Sequence, residues 1–470
     1  MFRYIFLSLV FAWIGCKHVD SLESARTTTN ATSRQAKRLT MFEIIRFAND
    51  PCIGQGSKEG TCYTSDECTT RGGINSGTCA QGYGICCTFT ATCGVVSSEN
   101  GTYFESNGME FGECRVKICP CNDGICQLRL DFEQFSISGP STSTTVSGIQ
   151  LAGVLGLDGA TSETTSASQC TIDSFSALSP SGITPPTICG INSGTHMYVA
   201  SSAICNDLVF VLGSSLEGGR IENRRWTIKV TQYSCNHPNI PPNGCTQYYF
   251  GATVGTVKTY NFDGGQHLAN QNQNICIRRE RGNCRICYTT EEESDFMTSG
   301  DDTKRALGDT EECCNYGSDG DESNYDCVII PGAFYPSDSS SNVPGDYDRF
   351  CGRSAGLVGT DSDTNEGNSQ TICSNHLFHI NITPPQINSF DILFSFLFLF
   401  FIWFSFSRAF LTATGNAILR TIEMKAIRQP FNIRFLSDGF EGKDEIDLGA
   451  MAGFKLTYIQ SSRGCRPEPQ

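Results

Sequence analysis

Twenty-six cysteines are spread over 470 residues, and Cys52, Cys62, Cys68, Cys79, Cys86 and Cys87 crowd into one short stretch, CIGQGSKEGTCYTSDECTTRGGINSGTCAQGYGICC. A segment this small cannot enclose enough apolar surface to hold itself folded, so cross-links must reduce the entropy of its unfolded chain. Six cysteines make three bridges, whose connectivity the spacing leaves open. Disulfides persist outside the cell, and this cysteine usage points to the secretory pathway. The start of the chain agrees, because Arg3 precedes YIFLSLVFAWIG, an apolar run of signal-peptide length with Gly15 and Ser21 as small cleavage residues. Residues 1–21 are therefore read as a signal peptide. If Cys16 leaves with it, 25 cysteines remain, and the odd one is left for another chain, which opens a covalent dimer.

Residues 22–50 are polar and threonine-rich and read as a flexible leader with little to bury. Sequons at Asn30, Asn100 and Asn381 mark glycosylation sites of an exported chain. Net charge is −15, but Thr289 to Cys327 alone holds 13 acidic residues against Lys304 and Arg305, about −11. One loop is acidic rather than the whole surface, and nucleic acid is excluded as a partner.

Beyond Cys93 the texture is strand-like. In CQLRLDFEQFSI, Leu128, Leu130 and Phe132 fall on one face while Gln127, Arg129 and Asp131 fall on the other. The same alternation puts Trp226, Ile228 and Val230 together in RRWTIKVTQ. Phe431, Ile433 and Phe435 share a face in PFNIRFLSD, as do Phe454, Leu456 and Tyr458 in GFKLTYIQ. Helical periodicity is scarce, so the fold class is mainly β, with two sandwiches after the small disulfide-rich knot.

These motifs carry two resemblances. The six-cysteine stretch ending on a vicinal pair, residues 51–88, resembles the clip-type knot that precedes arthropod serine proteases, yet neither AAHC nor GDSGG occurs anywhere in the chain. CQLRLDFEQF, Cys170, the ICG at Cys189 and RRWTIKVTQ resemble a CUB domain, a disulfide-bonded extracellular jelly roll, over 93–235. A second copy runs over 245–465, from GCTQYYFGATVGTVKTYNF through CIRRERGNCRICY, CVIIPGAFY and DRFCG to GFKLTYIQ. The order of motifs is similar to arthropod secreted CUB proteins without a protease domain. The resemblance implies a bridge between Cys170 and Cys189, and a later-bridge role for Cys351 with Cys313, Cys314 or Cys327 as its partner. It also implies calcium in many members, bound by a Glu, the Asp of C-x-x-D and the Asp of F-x-S-D, hard oxygens that suit the ion. Asp173 fits C-x-x-D, but Ser138 stands where the Glu belongs and VLGSS replaces the last motif. In the second copy Asp438 ends FLSD and Asp326 lies near the middle position, with no Glu aligned. The ligand set is incomplete in both copies, so no cofactor is assigned.

The run DILFSFLFLFFIWFSFSRAF interrupts the second module near 386–428. Its uncharged part, Ile392 to Phe406, spans about 22 Å as a helix against roughly 30 Å of hydrocarbon. A spanning helix near 391–407 would also place strands of one sandwich on opposite sides of a bilayer, which sheet pairing forbids. The alternatives are a looped-out insertion and retained intronic sequence, the reading favoured here.

Nothing else carries chemistry. Cys284 and Cys287 form C-x-x-C and Cys119 and Cys121 form C-x-C, which in an exported chain read as disulfide halves rather than zinc ligands. His196 and the other five histidines lie in no hydrolase motif, and Tyr248, Tyr249 and Phe250 at strand spacing divide between core and surface. The chain is thus expected to be an extracellular, non-catalytic scaffolding glycoprotein that recognises a protein or glycan. The alternatives are a regulator of a clip-type protease cascade and a membrane-anchored receptor-like protein.

Overall fold

The computed structural model describes residues 46–147, 162–214, 224–298, 314, 326–334, 349–351, 371–375, 430–437, 439, 451–463 and 465. The chain divides into two units, one built on 1–141 and 169–240, the other on 142–168 and 241–470. The fold is mainly β. Among the described residues no helix is long and apolar enough to cross a membrane, and the run near 386–428 lies outside them, as do Asn30, Asn381 and the leader up to residue 45.

The first unit opens with β1 (Pro51–Ile53), β2 (Glu59–Tyr63), the helix α1 (Ser65–Thr70), β3 (Ile74–Cys79) and β4 (Gly84–Ala91). Thr64 caps α1 by accepting the Glu67 N–H at 3.2 Å, and Asp66 and Glu67 place negative charge at its positive end. Three bridges tie this knot, Cys52–Cys86, Cys62–Cys79 and Cys68–Cys87. Gly73 lies against the last of them. A Cβ there would sit 2.2 Å from the Cys87 sulfur, so no larger residue fits.

The sandwich follows with β5 (Val96–Ser97), β6 (Thr102–Glu105), β7 (Gly112–Ile118) and β8 (Ile125–Ser136). Next come β9 (Ser141–Ser147) and β10 (Ser162–Gln169), a two-stranded ribbon whose residues 142–168 belong to the second unit, and then, in the first, β11 (Asp173–Leu178), β12 (His196–Ala200), β13 (Asn206–Leu212) and β14 (Arg225–Ser234). One sheet runs β6-β14-β8-β12, the other β11-β13-β7-β5. Leu128, Leu130, Phe132, Trp226, Ile228 and Val230 all face inward with almost no exposed surface. Opposite Thr227 lies Gln134 but opposite Ile228 lies Phe132, so Glu133 is an extra residue in β8. This bulge turns Phe135, three residues from Phe132, into the same core. Phe104, Phe132, Phe135, Phe175, Phe210 and Trp226 form the centre, with Trp226 stacked on Phe210 at 4.0 Å.

The knot is not a separate body. Its last strand, β4, pairs in parallel with β6, Phe89 opposite Thr102 and Ala91 opposite Phe104, which makes one sheet of β1-β2-β4-β6-β14-β8-β12 with β3 on β4. The boundary expected between 51–88 and 93–235 is therefore a seam within a sheet. Tyr103, fully buried, accepts the Glu59 N–H at 2.8 Å, and Lys58–Glu105 at 2.6 Å, Arg71–Glu99 at 3.1 Å and Lys229–Glu59 surround the join. Partly exposed pairs of this kind each contribute roughly 0–1 kcal/mol. A buried aromatic contributes roughly 1.5–3 kcal/mol, so the sheet and its buried rings, rather than the charges, seat the knot.

The second unit contains β15 (Gln247–Tyr249), β16 (Val254–Lys258), β17 (Asn272–Ile277), β18 (Arg285–Thr289), β19 (Phe296–Met297), β20 (Cys327–Ile329), β21 (Ala333–Phe334), β22 (Arg349–Phe350), β23 (Ile372–Asn375), β24 (Phe431–Leu436) and β25 (Gly453–Ser461). Its sheets run β16-β25-β18-β23-β21 and β15-β17-β24-β20-β22. Strand for strand this is the order of the first sandwich: β6-β14-β8-β12 answers to β16-β25-β18-β23, and β5-β7-β13-β11 to β15-β17-β24-β20. The first pair is parallel in both second sheets, β5 on β7 and β15 on β17. Phe431, Ile433, Phe435, Phe454, Leu456 and Tyr458 all point into the core with Ile275, Tyr288 and Val328. Strands on either side of the apolar run thus complete one sandwich, β23 against β18 and β24 against β17.

Candidate functional site

The C-x-x-D aspartate of the first unit sits at the start of β11 with no exposed surface. Its carboxylate is fully engaged. Arg224, whose side chain is 3% exposed, donates from Nε and Nη2 to the two oxygens at 2.7 Å each, while Ser138 N and Gly213 N donate at 2.9 and 3.1 Å. A carboxylate offers about four lone-pair directions, and all are used. The same guanidinium donates to the Gly213 carbonyl at 2.8 Å and to the Glu110 carbonyl. Asp173 therefore does not fit a metal: its charge is already balanced, and Ser138 brings an amide rather than a carboxylate. The sequence contained the signal, an arginine doublet opening an otherwise alternating strand, but not the partner, 51 residues away.

In the second unit Asp326, immediately before β20, is buried with its carboxylate 3.5 Å from His267 Nδ1, and the imidazole meets the Phe435 ring edge-on at 5.8 Å. Asp438 lies outside the described residues. Among the described residues no group of three or more His, Cys, Asp or Glu side chains is placed to hold a metal. The sulfurs are bonded instead. Cys170 pairs with Cys189, Cys119 with Cys205, Cys284 with Cys465, Cys287 with Cys373, and Cys245 with Cys276. Cys93–Cys114 and Cys126–Cys235 complete the first sandwich. Cys314 takes Cys327, so neither is the partner of Cys351, which is itself disulfide-bonded, as is Cys121. No described cysteine is free.

Tyr248 is buried, whereas Tyr249 and Phe250 are half-buried, the latter under the Arg278 guanidinium at 5.2 Å. Glu280, beside that arginine, loses some solvation but is held below its ordinary pKa by the Arg278 hydrogen bond and the Gly251 N–H. His196 is buried on β12 against Tyr198. Asn100 is exposed on the turn before β6, and its side chain accepts the Gln232 N–H at 2.7 Å.

The feature that sequence reading missed is an open sheet edge. In the first unit the outer side of β6 is covered by β4. Its counterpart β16 ends its sheet, and among the described residues no strand pairs with its outer side. Gln460 N donates to the Thr253 carbonyl at 2.7 Å and Thr259 N to Phe454 at 3.0 Å. With Val254 opposite Ile459, odd-numbered residues bond inward and Val254, Thr256 and Lys258 turn their peptide groups outward. Val254 and Ile459 are cross-strand neighbours, 53% and 48% exposed, an apolar strip along this edge.

The sequence model of the animal CUB domain matches residues 242–390, ending where the apolar run begins. No curated protein matches the chain. Among solved structures, the human MASP-1/3 CUB1-EGF-CUB2 domain aligns at 12% identity over 76% of this chain and 98% of that one, with a TM-score of 0.18. The full extracellular region of zebrafish Gpr126/Adgrg6 aligns at 10% identity over 78% of this chain and 36% of its own, with a TM-score of 0.21.

Proposed function

We propose that the protein is exported, non-catalytic and built on two CUB modules, and that it binds an extracellular protein by accepting an extended segment on β16. The family match over 242–390 carries this reading. The identical strand order of 93–235 supports a module of the same kind there, and the bonded cysteines support an oxidising compartment. A glycan on Asn100 belongs to the same reading, since that residue is exposed on a turn and its Nδ2 donates only a 3.4 Å bond to the Gln232 carbonyl.

In the first unit the matching edge takes β4, a parallel strand whose Phe89, Thr90 and Ala91 run beside β6. An extended partner segment on β16 would gain the same main-chain bonds, with apolar side chains over Val254 and Ile459. Thr256→Pro tests this. Its N–H points away from β25, so proline there removes the outward donor at a position edge strands tolerate. Cross-linking of the full-length protein in the extracellular fluid is expected to return one reproducible partner with adducts on Lys258. Thr256→Pro should lose that partner at unchanged thermal stability. A glycan ligand, no partner at all, or a partner retained by the variant and cross-linked elsewhere would refute the edge assignment.

A further inference from the structure

Five chain segments meet at the Asp173–Arg224 pair: the approach to β7 at Glu110, the exit of β8 at Ser138, the start of β11 at Asp173, the exit of β13 at Gly213 and the approach to β14 at Arg224. Gly213 leaves the sandwich and Arg224 returns to it, and the guanidinium joins the two ends by its bond to the Gly213 carbonyl. Nothing larger than glycine fits at 213, because a Cβ would lie 2.8 Å from the Ile172 carbonyl. A cation at this point must therefore do two things at once: neutralise a buried carboxylate and collect carbonyl oxygens from separate loops. A metal ion with oxygen ligands does this, and a planar, permanently charged guanidinium with five donors does it equally well.

We infer that Arg224 is the resident cation of this end of the first sandwich, in the place where the family resemblance implies calcium. The loop cluster is assembled by the sequence alone and is indifferent to calcium concentration. The inference concerns only this cluster and stands whether or not β16 binds a partner.

Thermal unfolding of the full chain, in excess EDTA and in millimolar calcium, provides the test. Wild type should give one Tm in both conditions. Arg224→Met leaves Asp173 buried and uncompensated and should lower the Tm by roughly 10 °C. Asp173→Asn combined with Arg224→Met removes the unbalanced charge and should recover part of that loss. If Arg224→Met is not exported at all, export of the double variant gives the same answer. Equal Tm for Arg224→Met and wild type would overturn the inference. So would a wild-type Tm that rises with calcium and no longer does so in Asp173→Asn. A calcium response that persists in Asp173→Asn arises elsewhere in the chain and, with the Arg224→Met loss intact, leaves the assignment supported.

Discussion

At Tyr103 a phenol with no exposed surface accepts the Glu59 N–H, and burial pushes its ionisation up to about 12 despite that bond. An unfolded tyrosine ionises near pH ~10. The fold thus favours the neutral phenol, and the resulting stability is fully present below about pH 10 and lost as pH rises through about 12. Tyr103→Phe should lack this component, so its Tm should approach or exceed that of wild type across that interval while lying below it at neutral pH. Melting curves of both proteins against pH check this. Residue faces were legible where alternation is regular, as at Leu128, Leu130 and Phe132. They were not where Glu133 bulges, because one extra residue inverts the pattern without any compositional mark. Asp173 drew notice only as part of an incomplete calcium motif, and its pairing with Arg224 was not legible, since nothing local ties residue 173 to an arginine 51 residues on.

Among the strands, the seam of β4 and β6 decides how the knot behaves. A chain starting at Thr92 would keep the whole sandwich sequence, and since the knot's three bridges are internal it would leave no knot cysteine without its partner. It would nevertheless bare the outer edge of β6 and the Tyr103 ring, an exposed edge of the kind that templates association. Such a truncation should aggregate or form higher oligomers by light scattering where the full chain does not. Alternation could not reveal the seam: Cys87, Thr88, Phe89, Thr90 and Ala91 alternate like any half-buried strand, yet Thr88 is as buried as Phe89, so the pattern does not show that both faces of β4 are covered. The open side of β16 was equally hidden. An unpaired edge is a property of what the sheet lacks, and Val254, Gly255 and Thr256 resemble any short strand.

Over the whole chain, two sandwiches with one strand order share two bridges, Cys93–Cys114 answering to Cys245–Cys276 and Cys126–Cys235 to Cys284–Cys465, and differ in a third, Cys119–Cys205 between β7 and β13 in the first against Cys287–Cys373 between β18 and β23 in the second. Both architectures were legible from their inward-facing strands because the β period survives sequence divergence, while cysteine pairing beyond Cys170–Cys189 was left open, since it is decided by proximity in space and not by spacing along the chain. The pairing of the knot has a consequence for how the molecule would withstand damage. Its first three cysteines are bonded to its last three, so every bridge passes over the stretch between Cys68 and Cys79. Trypsin cutting after Arg71 should leave an apparently intact band until a reductant is added, whereupon two fragments part. A scission at this place creates fresh chain ends and sheds nothing.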